Sequence, residues 1–184
     1  MTRHLLLAGA VALLTAAGPD RTELAERVSA GWADKPRLAA RALMSRYGAP
    51  DEVGAHRLIW HANGPWKRTI VRNVPWPYSD AAGEELGVIE QSVAYDLTPE
   101  QAAGLAAFSR RLAFDPSRME MTSRADREEL NYLRLNLADD VLRGRITAAE
   151  AQDSYARTVE LEAAGKTTRY LRGLTFGPGR VKTP

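Results

Sequence analysis

Cysteine is absent from the 184 residues of this chain. Its absence rules out disulfides, thiol nucleophiles and every cysteine-bearing zinc or iron–sulfur site. It also removes the thiol that a lipid-anchored envelope protein would acylate. Histidine is nearly as scarce, at three residues: His4, His56 and His61. An excess of one charge is missing too. The 25 Lys and Arg stand against 23 Asp and Glu, a formal net charge of +2. Although the isoelectric point is near 9.0, so balanced a chain does not call for a polyanion, and nucleic acid is not an expected partner. There is no calcium-loop spacing, phosphate-cradling glycine loop, HExxH or glycine elbow around a serine. No cofactor is therefore implied.

Only one long apolar run is present, Leu5 to Ala17, preceded by Arg3 and broken by Gly18, Pro19 and Asp20. A positive start, a short apolar stretch and small residues at its end form the pattern of a signal peptide. Thr15 and Ala17 would occupy the small-residue positions, with cleavage before Gly18. The run is shorter than the roughly 20 apolar residues of a membrane-spanning helix; the competing reading is a buried helix. The expected organisation is a signal peptide over 1–17, one domain over 18–176 and a loose tail over 177–184. The chain is accordingly expected to be exported to the periplasm or the medium, without a lipid anchor and without a transmembrane span in its mature form. About 165 residues suffice to bury a core without disulfides or a structural metal.

Asp20 to Glu23 has capping-box spacing and opens a helix ending near Gly31. A second helix follows, with Asp34 as its cap, Leu38, Ala39, Ala42, Leu43 and Tyr47 on its apolar face, and Gly48 as its stop. From His56 to Arg72 two β-rich runs flank Asn63-Gly64, a hairpin signal. Placing Trp60 opposite Trp66 or Arg68 puts Leu58, Trp60, Trp66 and Ile70 on one face, which favours a three- or five-residue loop. A third strand is expected over Val88 to Leu97, then a helix opened by Thr98-Pro99-Glu100-Gln101. Arg111 to Phe114 and Met119 to Thr122 are candidate strands. The longest helix is expected to begin at Ser123 or Asp126, with Leu130, Leu133, Leu137 and Val141 as its stripe. A further helix opens at the capping box Thr147 to Glu150, and the short link makes the two an antiparallel pair. Tyr170 to Phe176 is a candidate closing strand. This order predicts an α+β domain: a small antiparallel sheet with a hairpin, packed against several helices.

Chemistry-bearing residues are dispersed. His56 and His61 are five apart on a predicted strand and so point to opposite faces, which separates them as metal ligands. Glu128 and Glu129 are accounted for by a helix N-terminus, whose dipole favours negative charge. Asp139 and Asp140 lie near a helix C-terminus, where negative charge is disfavoured, and call for a partner among Arg134, Arg143 and Arg145. Asn131 faces inward and needs backbone at a strand end or loop. Trp76 and Tyr78, in a proline-held loop, join Lys67, Arg68 and Arg72 as an aromatic and basic surface of the composition found at binding hot spots. Trp60 and Trp66 are assigned to the core.

The run Tyr47-Gly48-Ala49-Pro50-Asp51-Glu52-Val53, followed by Trp60 and Asn63-Gly64-Pro65-Trp66-Lys67-Arg68-Thr69, resembles a family of uncharacterised bacterial exported proteins. The likeness extends through Asp126 to Leu137 and implies no activity. A shorter one, a helix turning through Gly-x-Pro into a hairpin, is to small outer-membrane assembly lipoproteins, whose acylated cysteine this chain lacks. Two functions follow. The first is an exported, non-enzymatic domain that binds a protein or envelope component through Trp76, Tyr78, Lys67, Arg68 and Arg72. The alternative is an enzyme or small-ligand binder with a cleft between the sheet and the long helix, using His61, Asp51 and Asp139.

Overall fold

The computed structural model describes residues 20–74 and 87–177. Six antiparallel strands form one sheet in the order β1-β2-β3-β4-β6-β5. They are β1 (Glu52–Gly54), β2 (Arg57–His61), β3 (Arg68–Arg72), β4 (Ile89–Ala94), β5 (Leu112–Asp115) and β6 (Glu120–Ala125). Five helices accompany them: α1 (Arg21–Ala30), α2 (Asp34–Tyr47), α3 (Pro99–Phe108), α4 (Glu128–Leu142) and α5 (Ala148–Ala163). The fold is α+β, with α4 and α5 packed together as the C-terminal helix pair.

The helices all serve one face of the sheet. Leu58, Trp60, Val71 and Ile89 on that face join Ala25, Trp32, Leu43 and Met44 of the α1–α2 layer in one buried cluster. Val93 and Met121 on the same face join Leu105, Phe108, Leu133, Leu137 and Ala151 in a second. Ile59 and Ile70, on the opposite face, belong to neither cluster.

Between the two clusters runs a polar seam. Thr69, Gln91 and Ser123 lie directly opposite one another on three neighbouring strands, and all three are fully buried. A polar row inside a sheet must be answered by hydrogen bonds or it destabilises the fold. The answer comes from α4 at three-residue spacing, which places its side chains on one side of a helix. Glu128 accepts from Gln91 Nε2 at 2.8 Å, Asn131 Nδ2 donates to Gln91 Oε1 at 2.9 Å, and Arg134 Nη1 donates to Ser123 Oγ at 3.0 Å. The row fixes α4 in one register against the sheet, because a shift by a turn would strand every one of these groups. Buried on all sides from Asn131 to Asp140, α4 is the central helix of the molecule.

Local signals explain most element ends. Thr98 with Gln101 and Thr147 with Glu150 form complete capping boxes, and Gly48, with φ of 77°, ends α2. Gly87 meets β6 so closely that a Cβ there would lie 2.0 Å from the Ala125 carbonyl carbon.

Several expectations are corrected. The hairpin pairs Trp60 with Thr69 and His61 with Arg68, so Leu58, Trp60, Thr69 and Val71 share a face while Ile70 joins Ile59. Six residues, 62–67, connect the strands, because Trp66 leaves the ladder to bury its indole in the helix layer, stacked on Tyr132 at 4.7 Å. The turn is made by Ala62 and Gly64, both at positive φ. Residues 52–54 add an edge strand that was not expected. Ala33, not Asp34, occupies the cap position of α2, whose buried face is Ala39, Ala40, Leu43 and Met44, leaving Leu38 60% exposed. Ser123 belongs to β6, α4 begins at Glu128, and α5 exceeds it by one residue. Residues 170–176 form no strand. The stretch opens within a 3-10 turn, Arg169–Leu171, and is tied to α4 by one side chain: Asn136 Nδ2 donates to the carbonyls of Tyr170 and Gly173, and its Oδ1 accepts from Thr175 N.

Candidate functional site

The sheet face opposite the helices carries the candidate site. Antiparallel register places Arg57 directly opposite Arg72 and His61 opposite Arg68 across β2 and β3. Glu90 faces Ile70 on one side and Arg124 on the other. Glu90 Oε2 accepts from Arg124 Nε at 2.8 Å and lies 3.5 Å from Arg72 Nη2. Glu120 pairs with Lys67 at 3.4 Å and with Arg68 at 3.3 Å. Both glutamates are buried, so the arginines stand around them as fixed charges and not as free tethers. Arg57 is exposed and has no carboxylate partner among the described residues. Like charges directly opposite on a sheet cost stability. Beside this pair lies a cleft of about 530 Å³ whose lining includes His56, Arg57, Arg72 and Asn73.

Of the residues expected at a partner surface, Lys67, Arg68 and Arg72 are thus brought to this face, held by Glu120 and Glu90. Trp76 and Tyr78 lie outside the described residues. Trp60 and Trp66 are each 1% exposed, in keeping with their assignment to the core.

The alternative polar set is not brought together. Asp51 Oδ2 accepts from the His61 backbone N–H at 2.7 Å, and His61 Nε2 stands 2.8 Å from Glu52 Oε1, an exposed arrangement at the β1–β2 edge. Asp139 sits at the C-terminal end of α4 in a different cleft, of about 630 Å³. A cleft between α2, the sheet and the long helix does exist, about 540 Å³, lined by Leu38, Leu43, Arg46, Ile89, Asp126 and Glu128 among others. Neither His61, Asp51 nor Asp139 lines it. Among the described residues, no three His, Asp or Glu side chains are grouped to hold a metal ion.

Two buried carboxylate clusters terminate α4. At its N-terminal end Glu128 Oε1 accepts from Tyr47 Oη, Trp66 Nε1 and Gln91 Nε2 at 2.7, 2.5 and 2.8 Å, while Oε2 pairs with Arg46 at 2.6 Å. Burial and this acceptor push the Tyr47 phenol far above its ordinary value. At the other end Asp139 accepts from Tyr95 Oη, Arg143 Nε and Arg145 Nη2, and Asp140 from Arg145 Nε and Tyr170 Oη. Burial and Asp139 likewise push the Tyr95 phenol up. The arginines offset both the burial of two carboxylates and the unfavourable helix dipole there. Arg134, the third expected partner, is instead spent on Ser123, the Arg124 carbonyl and Tyr155.

Sequence reasoning missed the role of Glu128. The dipole of a helix start accounts for a glutamate there without asking what it touches. The available signal was the three-residue spacing of Glu128, Asn131 and Arg134, polar groups on one side of a helix otherwise rich in leucine. Comparison with protein-family models, with curated proteins and with solved structures finds no match to this chain.

Proposed function

We propose that the chain is an exported, non-enzymatic binding domain that holds an acidic protein partner of the cell envelope on the open face of its sheet. The observation that carries this reading is the Arg57–Arg72 cross-strand pair. Arg72 stands 3.5 Å from Glu90, but Arg57 opposite it has no carboxylate partner among the described residues, so a partner's carboxylate placed between the two would relieve their repulsion and make charge-assisted hydrogen bonds. The sign pattern favours a protein with discrete carboxylates. Glu90 and Glu120 neutralise much of the surrounding basic charge, which weakens the pull of this face on a uniformly anionic polymer or membrane. Trp76 and Tyr78 follow Arg72 by four and six residues and supply aromatic contact of the kind that dominates interface energetics. Export rests on the signal-peptide pattern of residues 1–17.

The test is capture from envelope extract on the domain beginning at Gly18, followed by titration of the captured protein. The Arg57→Glu/Arg72→Glu double variant should lose at least about 100-fold in affinity, Trp76→Ala about tenfold, with affinity falling as salt rises. A partner retained equally by both variants would place the interface elsewhere, and capture only by anionic vesicles would replace the protein partner with a membrane.

A further inference from the structure

At the C-terminal end of α4 three arginines surround a cleft of about 630 Å³: Arg143, Arg145 and Arg169. The two carboxylates beneath them are already committed. Asp139 receives Tyr95 Oη and both α4-terminal arginines, and Asp140 receives Arg145 Nε and Tyr170 Oη. Arg143 engages Asp139 only through Nε, at 2.9 Å to each oxygen. Its two terminal nitrogens have no partner among the described residues, and neither does Arg145 Nη1. Both side chains keep more than a third of their surface exposed, whereas Asp139 is 2% exposed. Negative charge is thus turned inward and guanidinium edges outward. Arg169 lies over the Tyr170 ring at 5.3 Å from its centroid and pairs with no carboxylate among the described residues.

This is the layout of a prepared anion site. Buried acids fix two guanidinium groups, Arg143 through Nε and Arg145 through Nε and Nη2, leaving both terminal nitrogens of Arg143 and Nη1 of Arg145 to meet a planar or tetrahedral oxyanion. A third guanidinium lies over an aromatic ring. Ile146 and Phe176 also line the cleft and offer apolar surface to whatever carries the anion. We infer that this cleft binds the oxyanion end, phosphate or carboxylate, of a small molecule, gripped by Arg143, Arg145 and Arg169, with its apolar body against Ile146 and Phe176. The site is separate from the sheet face and independent of the function proposed for that face.

The experiment is titration of the full chain by calorimetry at fixed ionic strength, with inorganic phosphate, phenyl phosphate and benzoate as probes. Phenyl phosphate should bind saturably and more tightly than inorganic phosphate, and the ratio of phenyl phosphate to benzoate affinity identifies the preferred head group. Arg143→Ala and Arg169→Ala should each weaken binding about tenfold, while Arg172→Ala, an exposed neighbour outside the lining, should leave it unchanged. Circular dichroism of each variant establishes that the fold persists. The inference is overturned by absence of saturable binding for every probe, by equal binding in the three variants, or by phenyl phosphate binding no better than phosphate.

Discussion

The two ends of α4 solve the same problem in opposite ways. Each buries carboxylate against a tyrosine hydroxyl and arginine, yet at the Glu128 end the donors come mostly from the core, while at the Asp139–Asp140 end all but the buried Tyr95 come from side chains that reach solvent. Glu128 ties together α2, the hairpin loop, β4 and α4, and Trp66 and Gln91 have their polar groups locked inside the fold. Asp139 and Asp140 instead aim arginines outward. The difference separates a carboxylate that holds the structure from a pair that presents charge.

Removing the carboxylate at each end breaks or sharpens that contrast most directly. Glu128→Ala leaves the buried Trp66 indole N–H without its acceptor, the Gln91 amide with only Thr69 Oγ1 at 3.4 Å to receive its N–H, and Arg46 without its carboxylate, so a stability loss of about 4 kcal/mol is expected. Asp139→Ala should cost about 2 kcal/mol, chiefly the lost acceptor of the buried Tyr95 hydroxyl, because Arg143 and Arg145 can turn to water once released. Chemical denaturation of both variants measures the pair. Equal losses would erase the distinction between the two ends.

The same contrast explains what could be read from the residues alone. Thr98 with Gln101 and Thr147 with Glu150 are local devices, complete within four residues, and their positions follow from spacing. The pairing of Asp139 and Asp140 with Arg143 and Arg145 is also local, across one to two turns. Glu128 is different: its partners are Tyr47, Trp66 and Gln91, between 37 and 81 residues away, and no periodicity announces them. Strand register failed for a related reason. Asn63-Gly64 marks a turn, but the loop length is set by Trp66 leaving the ladder for Tyr132 and Glu128, a tertiary contact that overrides hairpin geometry. The basic face was legible in part, since Lys67, Arg68 and Arg72 are close in sequence. The opposition of Arg57 and Arg72 needed the register.

A smaller effect probes the tyrosines that mark both ends. Tyr47 and Tyr95 have phenols held neutral well above their ordinary range, by burial first and then by the acceptor carboxylates. In the unfolded chain each phenol ionises near pH 10. Above that pH the unfolded state has released the proton and the folded state retains it, so stability is intact below about pH 10 and falls as pH rises further. Tyr95→Phe should cost about 1.5 kcal/mol at pH 7 from the lost hydrogen bond, and the gap to the parent should narrow between pH 9 and 11. Denaturation curves that stay parallel over this range would show that the phenol is not protected at this end.

The smallest expected effect concerns an ion pair of ideal form in the wrong place to matter. Arg127, the residue before α4, donates through both terminal nitrogens to the two oxygens of Glu162 on α5, each at 2.7 Å. Geometry alone would rank this fork-to-fork contact beside the Glu128 cluster. Arg127 is half exposed, however, and water competes for every one of its N–H groups while salt screens the attraction. Glu162→Gln should therefore cost no more than about 0.5 kcal/mol, and less again in high salt. A loss approaching that of Glu128→Ala would mean that α4 is held at its N-terminal end from the surface as well as from the core, and that burial is not what separates a holding carboxylate from a presenting one.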